Sequence, residues 1–345
     1  MPRFLLEETV DSFAEWLREI HEQGFRAKQI IEWLWTRLEF DVSKMSNLGL
    51  ALREKIVQTF VVEPITLVKV IESSDRETQK FLWKLHDGLC VESVLINAPF
   101  RQTVCVSSQV GCPARCAFCA SGKKGLIRNL SSAEIVAQVL AIQKRLNAQE
   151  NKITNVVYMG MGEPLANFQE VVKSIKFLTG ELYFGFSRRR VTVSTVGVVE
   201  GIFGLKDEDL GVNLSFSLHA PTQEKREKII PFARKYPLPD ILQALDAYRA
   251  GTGRDITYEY VLLAGYNDSS EDACALAELL RGRKGCSVNL IPYNPISGVD
   301  FATPSRTVVE KFHALLEDAG LPVTCRYKKG DDIAAACGQL ALNEI

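Results

Sequence analysis

Hydrophobic positions along the chain change period twice. Within residues 4–60, LLEETVDSFAEWLREIHEQ and RAKQIIEWLWTRL carry apolar residues at helical spacing, which predicts two helices separated at Gly24-Phe25. A third short helix is expected over 46–60. Across 65–97 the runs shorten to ITLVKVI, QKFLWKL and LCVESVLI, with Asp87-Gly88 between the second and third, a hairpin signal. From residue 103 onward strand-like and helix-like runs alternate: VCVSSQV, then SSAEIVAQVLAIQKRL; TNVVYMG, then FQEVVKSIKFL; RVTVST; VNLSFSLH, then PDILQALDAYRA; ITYEYVLL, then SEDACALAELL; SVNLIPY, then SRTVVEKFHALLEDAG. Ser131-x-x-Glu134 reads as a capping box at the start of the first of these helices. Six β-then-α units predict a parallel sheet curled into a partial (β/α)6 TIM-like barrel over 98–345. A smaller helical plus β-meander unit is expected over 1–97.

In such a fold chemistry gathers where strands end. The polar residues out of keeping with simple turns fall there: the cysteines after the first barrel strand, Gly160-Met161-Gly162-Glu163-Pro164 after the second, and Ser194-Thr195 at the end of the third. Ser217-Leu218-His219 ends the fourth, and Tyr293-Asn294-Pro295 the sixth.

Composition narrows the class. The 345 residues are 46% hydrophobic with a net charge of −1, a globular composition that argues for no wholesale nucleic-acid binding. Basic residues nevertheless cluster at Arg188-Arg189-Arg190, Lys225-Arg226, Arg234-Lys235, 281–284 and 326–329. Each is either a solvated face or a phosphate-binding patch. The opening MPRFLLEE has no signal-peptide pattern, and no apolar run reaches the roughly 18 residues a membrane span needs. A cytoplasmic protein without a membrane partner is expected. In that setting nine cysteines imply thiols, metal ligands or catalytic groups rather than a disulfide scaffold.

Cys112, Cys116 and Cys119 form a C-x₃-C-x₂-C run. A structural zinc site wants four ligands, usually as two separated pairs, and the chain has no second C-x₂-C; Cys105, in the preceding strand, is the available fourth thiol. Three thiolates would instead hold an iron–sulfur cubane and leave one iron open for substrate or cofactor. Cys90, Cys274, Cys286 and Cys325 lie in strand or helix patterns and read as packing residues.

C-x₃-C-x₂-C with Phe118 before its last cysteine, at the end of the first strand of a partial barrel, resembles the radical S-adenosylmethionine superfamily. RAKQIIEWLW, VCVSSQVGCPARCAFCASGKKGLIRNL, NVVYMGMGEPLAN, RRRVTVSTVGVV, SFSLHAP, VNLIPYNP and KKGDDIAAACGQLA look like the RNA adenine methyltransferases of the RlmN/Cfr type. The likeness spans roughly residues 25–342. It implies the radical S-adenosylmethionine type of barrel, a [4Fe-4S] cluster on Cys112, Cys116 and Cys119, and S-adenosyl-L-methionine on its open iron. Gly162, Glu163, Ser194, Ser217, Leu218, His219 and Asn294 match the cofactor-binding positions.

The resemblance also implies a reaction. Adenine C2 is electrophilic, so a polar methyl transfer to it is unfavourable, whereas a carbon radical adds. Two cofactor molecules are used per turnover: one methylates Cys337, and the other yields the radical that takes hydrogen from that S-methyl group. Addition to the base leaves a protein–RNA adduct, with Glu92 as proton acceptor and Cys105 as the residue that resolves the adduct by a transient disulfide with Cys337. Without the resemblance, Cys337 reads as a small buried residue, Glu92 as a strand-edge carboxylate and His219 as a core histidine. The implied substrates are one adenine of 23S rRNA and the adenine 3′ of the anticodon in certain tRNAs, with a flavodoxin- or ferredoxin-type one-electron donor. A monomer is expected, and the 1–97 unit is expected to contact RNA. Methylation at C8 of the same rRNA base is the nearest alternative, and a zinc-stabilised RNA-binding module the distant one. The chain ends soon after Cys337, where many members of the family it resembles continue into a basic tail.

Overall fold

The computed structural model describes residues 2–326 and 330–340. Three helices open the chain: α1 Val10–Glu19, α2 Arg26–Ile31, which continues as a π-helical turn over Glu32–Thr36, and α3 Leu50–Thr59. The meander follows as β1 Ile65–Glu72, β2 Thr78–Leu85 and β3 Cys90–Ala98. At its second turn Gly88 takes φ +88° and Asp87 accepts from the Leu89 N–H at 3.0 Å, which is the expected Asp-Gly hairpin.

The alternating region gives β4 Arg101–Cys105, the short pair β5 Gln109–Gly111 and β6 Leu126–Asn129, then α4 Ser132–Asn147, β7 Asn155–Tyr158 and α5 Phe168–Thr179. It continues through β8 Val191–Thr195, α6 Val199–Asp207, β9 Asn213–Ser217, α7 Gln223–Ile229 and α8 Leu238–Thr252. It closes with β10 Ile256–Leu262, α9 Ser270–Leu280, β11 Cys286–Pro292, α10 Arg306–Asp318 and β12 Val323–Cys325. The Ser131 hydroxyl accepts from the Glu134 N–H while Glu134 accepts from the Ser131 N–H, so the capping box forms as expected.

Ten strands make one sheet in the order β1-β2-β3-β4-β7-β8-β9-β10-β11-β12, antiparallel up to β4 and parallel beyond it. The meander therefore extends the sheet of the barrel, because β3 pairs with β4. Residues of β7 through β11 line one cavity, which requires the sheet to curve into a partial barrel. Three features depart from the sequence expectation. VCVSSQV splits between β4 and the separate β5–β6 pair, α6 fills the interval after RVTVST, and β12 adds a short seventh parallel strand. No helix among the described residues is long and apolar enough to cross a membrane.

Register decides which side chains meet. Lys80 on β2 faces Val94 on β3, Val94 faces Cys105 on β4, and Cys105 faces Val157 on β7. Side chains alternate along a strand, so Glu92 shares this face with Val94. The face is the concave one: Val94, Cys105 and Val157 line a cavity of about 500 Å³.

Candidate active site

The cysteine loop is built by close backbone packing. A Cβ on Gly111, at φ +77°, would run into the Gly125 carbonyl, and one on Gly122 would come within 3.0 Å of the Cys116 backbone nitrogen. The Cys112 N–H donates to Gly125 O at 3.1 Å, the Cys119 N–H to Cys116 O at 3.1 Å, and the Ala117 N–H to Ile229 O at 2.8 Å at the end of α7. The loop thus presents Cys112, Cys116, Phe118 and Cys119 to one cavity of about 160 Å³. Burial pushes the Cys112 thiol up to about 12, and with the neighbouring thiols it pushes Cys116 well above its ordinary value. Burial also raises Cys119. Free thiolates are disfavoured there, so a bound cationic centre would have to displace their protons. Among the described residues no three acidic, histidine or cysteine side chains are gathered around one point that could hold a single metal ion. Three thiols presented to one cavity by a single loop fit a three-anchor iron–sulfur cluster.

The opposite wall follows β7. Gly162 has φ +110°, and a Cβ there would lie 2.7 Å from both Gln109 Cβ and Ser108 Oγ. The glycine is needed for loop-on-loop packing, in addition to lining the cavity. Gly162→Ala should therefore destabilise the protein by about 1–3 kcal/mol. Denaturant unfolding of the metal-free protein checks this, and an unchanged midpoint would show that the loop yields. Glu163 is 2% exposed; its Oε1 accepts from the Leu165 N–H at 3.0 Å and its Oε2 from the Val196 N–H at 2.8 Å. Both carboxylate oxygens brace the rim, and burial pushes the group up to about 7 despite those donors.

The remaining cofactor positions divide. Ser194 and Ser217 line the same cavity with their hydroxyls 3.4 Å apart. His219 lines it too, with Nδ1 accepting from the Val261 N–H at 3.0 Å and its ring edge-on to Phe118. Burial and then the charge of Arg226 lower His219 to about 3, so it is neutral and carries its proton on Nε2. Leu218 is fully buried and belongs to the core; its carbonyl accepts from Arg226. Asn294 donates through Nδ2 to Cys337 O at 3.2 Å, and its Oδ1 is buried without a hydrogen-bond partner. Asn294 lines the larger cavity that holds Cys105 rather than the one with Ser194, Ser217 and His219, and its orphaned acceptor marks a place where a bound polar group could donate.

The structure brings together two residues that the chain keeps far apart. Cys105 and Cys337 line the larger cavity, and Cys337 also lines the cysteine-loop cavity, so it stands between the two. Burial, then the adjacent Cys337, pushes Cys105 up to about 12. Cys337 is exposed, contrary to its reading as a buried packing residue, with the Arg326 guanidinium 4.0 Å from its sulfur. Its segment is pinned by the Ala120 N–H to Gly338 O at 2.8 Å and the Ser121 hydroxyl to Leu340 O at 2.6 Å. Glu92 is 5% exposed and ion-paired with Lys80 at 3.4 Å, so it is an interior carboxylate rather than an edge one.

Sequence reasoning missed Arg226. It counted among the basic surface clusters, yet it is fully buried and donates to the carbonyls of Leu218, Ser217 and Val196 at the ends of β8 and β9. Its spacing from Ile229 at the end of α7 and Ile230 just beyond it is the signal that marked an inward face. Arg188–Arg190 are exposed but precede β8, at the end of the strands away from the cysteines. In the 326–329 cluster, Tyr327, Lys328 and Lys329 lie outside the described residues. Cys274 is exposed, so it is not the packing residue its helix pattern suggested, whereas Cys90 and Cys286 are buried.

Comparison with known proteins adds independent findings. A family model described as Radical SAM superfamily matches residues 106–277, and one described as ribosomal RNA large subunit methyltransferase N-terminal domain matches residues 5–62. The chain is 54% identical over 330 residues to a probable dual-specificity RNA methyltransferase RlmN 2 of Protochlamydia amoebophila, covering 96% of this chain and 92% of that one. It is 43% identical over 340 residues to a probable dual-specificity RNA methyltransferase RlmN of Caldicellulosiruptor saccharolyticus, covering 99% and 97%. The crystal structure of a radical SAM methyltransferase from Sphaerobacter thermophilus superposes with a TM-score of 0.96 at 42% identity, covering 98% of this chain and 99% of that one.

Proposed function

Because the chain belongs to the RlmN family of radical S-adenosylmethionine RNA methyltransferases, we propose that it methylates carbon 2 of one adenine in 23S rRNA and of the adenine 3′ of the anticodon in certain tRNAs. The observation that carries this reading is the position of Cys337 between the cavity of the three cysteines and the cavity of Cys105. A residue that first receives a methyl group and then delivers it to a base must reach both.

The enzyme uses a [4Fe-4S] cluster and S-adenosylmethionine, which when bound supply the methyl group and, after one-electron reduction, the radical chemistry. Cys112, Cys116 and Cys119 hold the cluster, and Gly162, Ser194, Ser217, His219 and Asn294 bind the cofactor. Glu163 contributes by bracing the loops around it, since its oxygens accept backbone N–H groups from Leu165 and Val196. Two cofactor molecules serve each turnover. Cys337 carries the methyl group as a thioether and, one hydrogen atom short, forms the carbon–carbon bond to adenine. Glu92 takes the proton lost from C2. The Cys105 thiolate attacks the Cys337 sulfur; the sulfur–sulfur bond forms as the carbon–sulfur bond breaks, and the electron pair left on the new carbon and the ring takes up a proton to give the methyl group. A flavodoxin- or ferredoxin-type protein supplies the electron.

The 1–97 unit contacts RNA in this reading. Arg37 stacks over Trp33 at 4.2 Å and Arg26 over the half-exposed Phe25 at 4.8 Å, pairs suited to bases and phosphates alike. Mass spectrometry of rRNA and tRNA from a deletion strain, with and without this gene product, tests the whole reading. Methylation at C8, or no change in either RNA, would overturn it.

Phosphate contacts should come from the rim that carries the cysteines. Arg115 and Lys124, both exposed on the cysteine loop, are the candidates there. Neutralising them should weaken RNA binding and lower the salt slope by about 0.7–0.9 per lost phosphate contact. Neutralising Arg188–Arg190, at the far end of the strands, should leave the slope unchanged. The reverse pattern in a salt titration would move the RNA path to the other end of the barrel.

A further inference from the structure

We propose that Lys80 is a positioning residue that holds Glu92 in place relative to the segment bearing Cys337. This rests on the roles given above to Glu92 and Cys337. Lys80 is 7% exposed, an unusual state for a lysine on a meander strand. Its ammonium lies 3.4 Å from Glu92 Oε1 and donates to Ala334 O at 3.4 Å, three residues before Cys337. A lysine has three donors on one point charge, so a single group serves both partners. The concave-face register places its strand position directly opposite Val94, which in turn faces Cys105.

Two further contacts show that the β1–β2 hairpin is a dock for this segment. The Ser74 N–H donates to Asp332 Oδ2 at 2.8 Å. Gly330, at φ +72°, packs so closely on Thr78 that a Cβ would lie 2.6 Å from Thr78 Cγ2. The hairpin thus grips the segment at 330, 332 and 334, and Lys80 is the one of these contacts that also touches Glu92. Burying an ion pair is at best neutral for stability compared with apolar packing, so stability alone does not account for a charged pair here. A geometric task does. In the step concerned, the C2–H bond of the radical adduct breaks heterolytically and the proton passes to the Glu92 carboxylate. The electron pair restores the aromatic ring, and the surplus electron leaves to a one-electron acceptor of the same class as the redox partner that supplied the first electron. The carboxylate must therefore sit at a set distance from a base that is tethered, at that moment, to Cys337.

The test uses the full-length, cluster-loaded enzyme with RNA substrate and four variants: Lys80→Met, Lys80→Arg, Glu92→Gln and the double Lys80→Met/Glu92→Gln. Released methyladenosine is measured by mass spectrometry, and protein joined to RNA by denaturing gels with and without nuclease. Lys80→Met should release about 10- to 100-fold less product, the usual effect of losing a partner that orients a reactive group. It should accumulate the same covalent adduct as Glu92→Gln. Lys80→Arg should recover most of the product, and the double variant should be no worse than Glu92→Gln. If Glu92→Gln traps adduct while folded Lys80→Met gives wild-type product, or gives neither adduct nor product, the positioning role alone falls. If Glu92→Gln turns over normally, the assignment of Glu92 falls first and the proposal with it. Should Lys80→Met fail to fold through its uncompensated carboxylate, the double variant decides: adduct equal to Glu92→Gln supports the proposal, and a further loss overturns it.

Discussion

Alanine in place of Cys112, Cys116 or Cys119 should give a folded protein that carries almost no iron and cleaves no cofactor. In the proposed reading the cluster has these three protein anchors, and the loss of one leaves two thiolates for four irons. The loop itself should survive. Gly111 against Gly125, Gly122 against Cys116, and the Ala117 N–H to Ile229 O hold it without metal. Removing one sulfur from a partly buried site costs only a small cavity, about 1 kcal/mol. Iron and sulfide analysis of anaerobically purified protein, with chromatography for 5′-deoxyadenosine, checks the prediction. Wild-type protein should hold about four irons per chain and each variant almost none. Normal cofactor cleavage by any of the three variants would sink the radical reading, and a colourless wild type with one zinc would revive the zinc module.

Cys105→Ala, expressed in cells, should accumulate protein covalently joined to RNA through Cys337. Both cysteines line the larger cavity, where the proposed transient disulfide would form. Without the Cys105 sulfur the carbon–sulfur bond to Cys337 has no partner to break it. Cys337→Ala should keep its cluster and produce neither adduct nor methylated RNA, and removal of both cysteines should abolish the adduct. If Cys105 only packed the strand, alanine would lower stability slightly and trap nothing. A folded, cluster-loaded Cys105→Ala protein that is free of RNA and still forms methyladenosine would refute the assignment.

Local chemistry was legible where its parts are neighbours in the chain. Cys112, Cys116 and Cys119 declare themselves because one loop must carry all three, and the Asp87-Gly88 and Ser131-x-x-Glu134 signals are equally short-range. Glu163 shows the limit of that legibility. Its position after β7 was readable, but not the two backbone N–H donors that turn its carboxylate into a brace, since one of them, Val196, comes from a different strand end. Arg226 was misread because a helix as polar as QEKREKI looks solvated until the strand-end carbonyls beneath it are known.

By itself, the sequence determined the alternation of strands and helices, the meander before it, and the thiolate loop at the end of the first barrel strand. Each follows from periodicity, turn chemistry or spacing within a few residues. Only the tertiary structure decided which distant groups meet. Cys105 and Cys337 share a cavity because β4 lies inside the curved sheet and the last described segment folds back over it. Lys80 and Glu92 pair because the register of β2 on β3 puts both on the concave face. The same topology carries Arg188–Arg190 to the end of β8 away from the cysteines. Hydrophobic runs identify a buried strand, but its register against its neighbours chooses the face each side chain takes, and a shift of one residue would exchange the two faces.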